Sequence, residues 1–393
     1  MEHLECNKKE AHGFLPFSEK YNNIGDDWAM PHTIAISNQQ ARPGYNSCSA
    51  HEYNDVPEVL KEKIKLLAQL IKSSKRFVVY SGAGISTAAG IGDYASRAEN
   101  SAAFTGKERP KVWSEFDAQP TMAHRVITCL YNEGYLKYWI QQNHDGLPQK
   151  AGLPQEAINE IHGAWYDPSN PVVQMSGSLR EDFFSDLMKW EESADLCLAV
   201  GTSLAGMNAD RVAQSTAERA IGNEDGSLGT VIISLQCTKF DSLASLRLFC
   251  TIDKAMEMLA NELNIIVPEY KLYSLDISPE YQIEEDVFLL THYGPDGKKL
   301  KEPTSLENAM RLDLREDAEI EITIGQFKGH QGVVTGKNRE NHYRIRIMHP
   351  LKGTFKAPKV HTLGLWWIDA AIRVTINIIP LVNHSESLVF GNE

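Results

Sequence analysis

Residues 76–93 read Arg-Phe-Val-Val-Tyr-Ser-Gly-Ala-Gly-Ile-Ser-Thr-Ala-Ala-Gly-Ile-Gly-Asp and decide the fold of this chain. The apolar run 77–80 predicts a buried strand of a parallel sheet. The strand runs into Gly82-Ala83-Gly84, and glycine is needed where a side chain would block a close approach. In α/β folds such a turn brings backbone N–H groups and a helix N-terminus against a pyrophosphate. Many buried strands end in glycine, however, so this turn alone leaves the simpler interpretation open.

Three further segments place small or polar residues where an apolar run ends. They are Gln142-Asn143-His144-Asp145 after 135–140, Gly201-Thr202-Ser203 after 196–200, and Ser234-Leu235-Gln236 after 231–233. His162-Gly163 follows 17 residues after Asp145. Because the carboxyl ends of parallel strands meet at one edge of a sheet, these segments predict a ligand crevice along that edge.

Five motifs within residues 82–241 carry a family resemblance. They are Gly-Ala-Gly-Ile-Ser-Thr (82–87), Gln-Asn-x-Asp-Gly-Leu (142–147), His-Gly (162–163), Gly-Thr-Ser-Leu (201–204) and Leu-Gln-x-Thr-Lys-x-Asp (235–241). In this order they resemble the sirtuins, which are NAD-dependent protein lysine deacylases, and within them the branch of the sixth and seventh mammalian enzymes. The resemblance covers roughly residues 55–268.

The resemblance implies a Rossmann-like α/β fold, a parallel sheet with helices on both faces, that binds NAD. It implies a transferase that moves an acyl group from an acylated-lysine protein to ADP-ribose and releases nicotinamide. His162 matches the family's general base, and an imidazole with a pKa near 6.5 suits that task at neutral pH. Asn143 and Asp145 match the residues that line the nicotinamide site and hold the reacting ribose.

The other matched positions are expected to bind the cofactor. Gln142 would contact the reacting ribose. The phosphate and adenosine positions are Gly82, Ala83, Gly84, Ser86, Thr87, Asp93, Tyr94, Gly201, Thr202, Ser203, Ser234, Gln236 and Ile252. Alternative interpretations stay open, because polar residues also cap their own turns and serine and threonine also cap helices.

Several positions depart from the family pattern. Ala95 stands where the family has an arginine, Pro148 where it has a histidine, and Ser234 where it has an asparagine. The substrate segment aligns in two ways, at 175–177 or at 177–180. Two alternatives to a deacylase therefore remain: an NAD hydrolase or ADP-ribosyltransferase, and a catalytically weak module that binds NAD or ADP-ribose.

The six cysteines, at 6, 48, 129, 197, 237 and 250, form no Cys-x-x-Cys pair. A structural zinc site normally contains two such pairs, and scattered cysteines are usually small core residues. We therefore predict neither a metal site nor a disulfide. Most sirtuins carry a four-cysteine zinc module soon after the His-Gly pair. Here only 164–171 separate that pair from Val172, so the module is expected to be deleted.

Composition limits the class of protein. A chain of 393 residues favours two domains, and a net charge of −13 argues against a general polyanion binder. The N-terminus lacks a basic-then-apolar leader, and no stretch approaches the length of an apolar membrane span. The chain is therefore expected to be intracellular and soluble, without a membrane partner. The resemblance implies the nucleus, and the cytoplasm stays open because no strong basic localisation run is present.

We divide the chain into an irregular arm (1–54), a sirtuin-like catalytic domain (55–268) and a β-rich domain (269–393). Apolar residues at helical spacing predict helices that start near 55–58 and that span 120–132, 179–193 and 253–263. Alternating runs at 319–324, 343–347 and 372–376 predict strands of a small β-barrel or sandwich.

Residues 325–361 contain eight lysines and arginines and one acid, Glu340. Their first part, 325–334, resembles the KOW-type segment of SH3-like barrels. The local excess of positive charge predicts a nucleic acid or another acidic partner. The alternative is a solvated strand face, because alternation places charged residues on the exposed side of a sheet.

Overall fold

The structure is a computed structural model that describes residues 8–14, 27–42, 44, 45, 47–93, 101, 115–174, 177–347 and 360–384. The α-helices in these ranges are α1 (Lys8–His12), α2 (Pro57–Ser73), α3 (Met122–Asn132), α4 (Leu147–Lys150), α5 (Glu181–Ser193), α6 (Arg211–Ile221), α7 (Ile252–Leu263) and α8 (Leu365–Ile372). The predicted helices correspond to α2, α3, α5 and α7. None of the helices in the described ranges has the length and apolar content needed to cross a bilayer.

Within these same ranges, the strands form four sheets. They are β1 (His32–Ala35), β2 (Glu52–Asn54), β3 (Phe77–Ser81), β4 (Leu136–Gln141), β5 (Ile158–Glu160), β6 (Leu196–Val200), β7 (Gly229–Ile233), β8 (Leu246–Leu248), β9 (Gln282–Glu284), β10 (Val287–Leu290), β11 (Met310–Asp313), β12 (Glu319–Ile322), β13 (Gln331–Lys337), β14 (Tyr343–Ile347), β15 (Val360–Leu363) and β16 (Leu381–Asn383).

The central sheet has six parallel strands in the order β5-β4-β3-β6-β7-β8. The chain moves outward from β3 through β4 to β5, and then returns to β6 on the other side of β3. This reversal creates a topological switch point between β3 and β6, where open α/β sheets bind their ligands. The predicted α/β class with a Rossmann-like parallel sheet is therefore confirmed.

Alternate residues of β3 show how the sheet is covered on both faces. Phe77 and Val79 pack in the core cluster that contains residues of α2, α3 and α7. Val78 and Tyr80 pack in the opposite cluster with residues of α5 and α6. Since successive strand residues point to opposite faces, a strand buried on both faces must be apolar throughout, and every residue of β3 is buried.

The described part of the N-terminal arm packs against the parallel-sheet region. It contains α1 and an antiparallel hairpin of β1 and β2. Asp55, just after β2, donates its backbone N–H to Phe249 O at 2.7 Å, and its Oδ2 accepts from Phe249 N at 2.9 Å. The buried Lys63 ammonium contacts Asp55 Oδ1 at 2.7 Å and Ala11 O at 3.1 Å.

The C-terminal part contains two antiparallel sheets, β11-β10-β9 and β15-β14-β13-β12-β16. The alternation at 343–347 is confirmed, because Tyr343, Ile345 and Ile347 are buried while the residues between them are exposed. The predicted strand at 372–376 is wrong. Those residues end α8 and form a turn in which Val374 has a φ of +62°, and the last strand up to residue 384 is β16.

Candidate active site

Two glycine-containing loops meet at the switch point between β3 and β6. Gly84 N donates to Gly201 O at 2.9 Å. Gly201 has a φ of +61°, and a Cβ on it would lie 2.5 Å from the backbone nitrogen of Ile85. A Cβ on Gly84 would lie 2.8 Å from Gly201 Cα. The glycines therefore allow the two loops to touch, a requirement that exists before any ligand is considered.

The turn after β3 does not lead into an α-helix in the described residues. Ala83–Ile85 and Thr87–Ala89 are 3₁₀ turns, and Gly90, in the left-handed conformation, ends the second. The Thr87 hydroxyl donates to Gly84 O at 3.0 Å. The expected helix N-terminus is therefore absent from this described segment, and the crevice is bordered by loop backbone.

A buried polar cluster links the turn after β3 to the segment after β4. The Ser86 hydroxyl donates to Asp145 Oδ2 at 2.6 Å. Asn143 Nδ2 donates to Ser86 Oγ at 3.0 Å and to Gly82 O at 3.2 Å. Asp145 Oδ1 also accepts from Leu147 N at 3.0 Å. These contacts bring four predicted site residues together and fix the direction of the Ser86, Asn143 and Asp145 side chains.

A second chain of hydrogen bonds crosses the switch point. Gln142 Nε2 donates to Thr202 Oγ1 at 2.9 Å and to the Tyr80 hydroxyl at 2.6 Å. The Tyr80 hydroxyl donates in turn to Asp210 Oδ1 at 2.7 Å. Burial and the nearby Asp210 raise the pKa of Tyr80 well above its usual value. Tyr80 and Asp210 were not predicted from the sequence, because their pairing spans 130 residues.

His162 follows β5 and lies beside this network. Its backbone oxygen accepts from Val173 N at 2.9 Å. Its Nε2 is buried, and the described residues provide no hydrogen-bond partner for it. Burial lowers the pKa of His162 to about 4; the charges of His144 and Arg42 lower it further, and a hydrogen bond with the Gln142 backbone opposes them. The ring is therefore neutral at pH 7, and one of its nitrogens has no hydrogen-bond partner among the described residues.

The segment after β7 forms the far end of the crevice. Ser234 Oγ accepts from Gln236 N at 3.2 Å. The fully buried Arg247 holds this turn, since its guanidinium donates to Gln236 O at 2.6 Å and pairs with Asp241 at 2.8 Å. Arg247 was not among the predicted residues. Ile252 is the first residue of α7.

The structure describes some of the remaining predicted positions, and others lie outside the described residues. Ala83 and Ser203 are half-buried at the two loops. Asp93 is half-buried and makes contacts of its own. Tyr94, Ala95 and residues 175 and 176 of the substrate segment lie outside the described residues.

The described residues provide no site for the zinc module that most sirtuins carry. Five cysteines are described, and all are free thiols. Across the described ranges, no group of three or more histidine, cysteine or acidic side chains could hold a metal ion. After Gly163 the chain forms a short loop that is closed by a hydrogen bond from Ala164 N to Asn170 O at 2.8 Å.

The basic segment 325–361 is partly neutralised by the rest of the chain. Lys337 pairs with Asp286 at 2.5 Å, and Arg339 lies 3.8 Å from Asp117. Arg344 and Arg346 are exposed on β14, as alternation requires. The lysines at 352, 356 and 359 lie outside the described residues.

Comparisons with known proteins point to one family. The Sir2 family model matches residues 101–170. The protein named NAD-dependent protein deacetylase Sirt6 from Drosophila melanogaster is 30% identical over 265 residues, which are 56% of this chain and 81% of that protein. The mouse NAD-dependent protein deacetylase sirtuin-7 is 30% identical over 263 residues, which are 56% of this chain and 64% of its own length. A solved Sir2 complex with p53 peptide and NAD+ is 21% identical with a TM-score of 0.41, and the match covers 51% of this chain and 98% of that one.

Proposed function

This chain belongs to the Sir2 family, and we propose that it is an NAD-dependent protein lysine deacylase. In this reaction the acyl group of a modified lysine passes to ADP-ribose and nicotinamide is released. One observation carries the proposal. A neutral His162, whose Nε2 has no partner among the described residues, lies at the crevice edge that also carries Asn143 and Asp145.

The crevice suits a dinucleotide. Its two loops pack backbone against backbone through their glycines, and they lie at the switch point between β3 and β6, where open α/β sheets bind their ligands. We propose that Gly82, Gly84, Gly201 and Thr202 lie along the diphosphate and that Ser234, Gln236 and Ile252 lie at the adenosine end. Ala83, Thr87, Asp93, Tyr94 and Ser203 complete the proposed set.

Bound NAD would supply a ribose carbon that becomes electrophilic as nicotinamide leaves. The chain's own part is to orient groups and to move one proton. Asn143 and Asp145 are held by Ser86, so we assign them to the nicotinamide side of the site. Gln142 is held by Thr202 and Tyr80, so we assign it to the reacting ribose.

We assign the proton transfer to His162. Its lowered pKa keeps the ring unprotonated at neutral pH, so Nε2 can accept a proton from a ribose hydroxyl. The hydrogen bond with the Gln142 backbone engages the ring as well. That bond fixes the orientation of the imidazole.

The test is nicotinamide release from NAD with and without an acetylated-lysine peptide. Release that depends on the peptide is the expected result, because attack by the acyl oxygen requires the peptide. Release without the peptide would contradict the proposal and indicate an NAD hydrolase or ADP-ribosyltransferase. Binding of NAD without turnover would contradict it in favour of a binding module.

A nucleic-acid or acidic partner for residues 325–361 remains a separate proposal, supported by the exposed pair Arg344 and Arg346. Its test is an electrophoretic mobility shift with the whole chain at low and high salt. Salt-sensitive binding that falls when both arginines are replaced by glutamine is expected. Equal mobility with and without DNA or RNA would remove this proposal.

A further inference from the structure

Residues 163–172, which we call the His162 loop, are fixed at their base. Gly163 N donates to Glu160 O at 3.0 Å, and Val173 N donates to His162 O at 2.9 Å. Asn170 Nδ2 donates to Glu160 O at 3.0 Å. These bonds tie both ends of the loop to the end of β5. A shift of the loop would therefore move His162 with it.

The tip of the His162 loop lies in a seat formed by the C-terminal part of the chain. The seat consists of Gly325, His342, Gly364 and Trp366. Gly364 N donates to Tyr166 O at 3.0 Å. The Tyr166 ring is buried, with its centroid 5.1 Å from that of Trp366 and 4.9 Å from that of His342.

The Gly325 position in this seat has no room for a side chain. Gly325 has a φ of +80°, and a Cβ on it would overlap the carbonyl oxygen of Ser169 in the loop. Gly325 begins the segment that resembles a KOW motif. The start of that segment therefore packs against the His162 loop of the same chain.

The C-terminal part of the chain also contacts the helix that follows Asp145. Lys150, at the end of α4, is buried and pairs with Glu340 at 2.5 Å. Its ammonium donates to Phe116 O at 2.6 Å, and the Tyr166 hydroxyl donates to the same oxygen at 3.1 Å. The helix that follows Asp145 and the loop that follows His162 are therefore held by one set of contacts.

We propose that the C-terminal β region positions His162, with Gly325 and Tyr166 as positioning residues that act through the His162 loop. This inference rests on the proposed function. Misplacing a reacting group by about 1 Å can cost about 100-fold in rate, so the seat is expected to affect kcat.

The test compares Gly325→Ala with Gly329→Ala in the full chain. Both glycines have a positive φ, +80° and +78°, but a Cβ on Gly329 would meet nothing within 4 Å. Backbone strain is therefore matched, and only Gly325→Ala presses on the loop. We expect kcat to fall about 10- to 100-fold in Gly325→Ala, with the KM for NAD nearly unchanged, and to stay near wild type in Gly329→Ala. Equal kcat values for the two variants would overturn the inference.

A second pair of variants serves if Gly325→Ala does not fold. Tyr166→Phe removes the hydroxyl that reaches Phe116 O, and Tyr343→Phe removes one that reaches Asp286 at 2.6 Å, away from the loop. We expect only Tyr166→Phe to lower kcat.

An NMR spectrum of labelled histidines, in which the His162 signal is identified by its loss in His162→Ala, gives a readout without turnover. A shifted His162 signal in Tyr166→Phe but not in Tyr343→Phe supports the inference even if the chain is no deacylase, and an unshifted signal overturns it.

Discussion

The parallel-sheet region and the C-terminal β region each bury an imidazole, and the two imidazoles differ in one respect. Burial lowers the pKa of His162 to about 4 and that of His342 to about 3. His342 Nδ1 accepts from Leu365 N at 3.2 Å, and its ring packs on Tyr166 and Trp366. His162 keeps a buried Nε2 for which the described residues offer no partner.

This contrast separates packing from chemistry. A lowered pKa follows from burial alone, so it does not distinguish a catalytic histidine from a structural one. A buried ring nitrogen without a partner is costly unless a ligand satisfies it, but His12 and His124 also have such nitrogens among the described residues. What distinguishes His162 is that its ring also bonds the backbone of Gln142, in the segment that carries Asn143 and Asp145. The three predictions below test whether the parallel-sheet region carries the chemistry while the C-terminal β region contributes packing.

The largest effect is expected from His162→Ala. Loss of a general base typically lowers kcat about 100- to 10,000-fold, while calorimetry should find NAD binding largely retained. His292→Ala is the control in the C-terminal β region, where His292 contacts Thr291, and it should leave turnover unchanged. Wild-type turnover in His162→Ala would remove the distinction between the two imidazoles.

Gly201→Ala is expected to lower stability by about 2–4 kcal/mol, because it combines a left-handed φ with a collision against Ile85. Gly336→Ala, in the C-terminal β region, has a φ of +101° and open space. It should cost only the backbone strain of about 1–2 kcal/mol. Urea unfolding measures both. Equal losses would show that the contact between the two crevice loops contributes nothing.

The smallest effect is expected from Glu160→Gln, just before His162. Burial raises the pKa of Glu160 well above its usual value, so the folded state holds a proton that the unfolded state releases. The contribution of the protonated Glu160 to the free energy of unfolding is fully present below the unfolded pKa of this group. That contribution is lost as pH rises through the folded pKa. Thermal melts should therefore favour the variant increasingly as pH rises above the unfolded pKa of about 4.3, by up to about 1.4 kcal/mol for each pH unit until the folded pKa is reached.

The exposed Glu192→Gln is the control for that series and should show no such trend. A constant difference between Glu160→Gln and wild type across the pH range would contradict the assigned proton. It would also indicate that Glu160 is charged in the folded chain.

The sequence predicted the elements whose apolar pattern is continuous. Phe77, Val79 and their neighbours are buried on both faces, so the pattern identifies β3 without further information. The strand predicted at 372–376 failed because β-branched residues alternate there by chance. The apolar run at Leu365–Ile372, which follows Gly364, forms α8 instead.

Among the residues that lie together at the crevice, those in short motifs were predicted from the sequence, as at Gln142, Asn143 and Asp145. A residue was missed where its partner comes from a distant part of the chain. Asp210 reaches Tyr80 across 130 residues, and Arg42 of the N-terminal arm lies near enough to influence the His162 pKa. Local spacing holds no information about such pairs, because the tertiary fold creates them.

The pairing of Asp55 with Phe249 has a consequence for synthesis. The two residues are 194 positions apart, and ribosomes add about 5–20 residues per second. Asp55 is therefore made about 10–40 seconds before its partner exists. Asp55 and the hairpin that precedes it cannot complete their contacts on the nascent chain until Phe249 has been made. That hairpin should be among the last segments to dock and among the first that a protease can cut during translation.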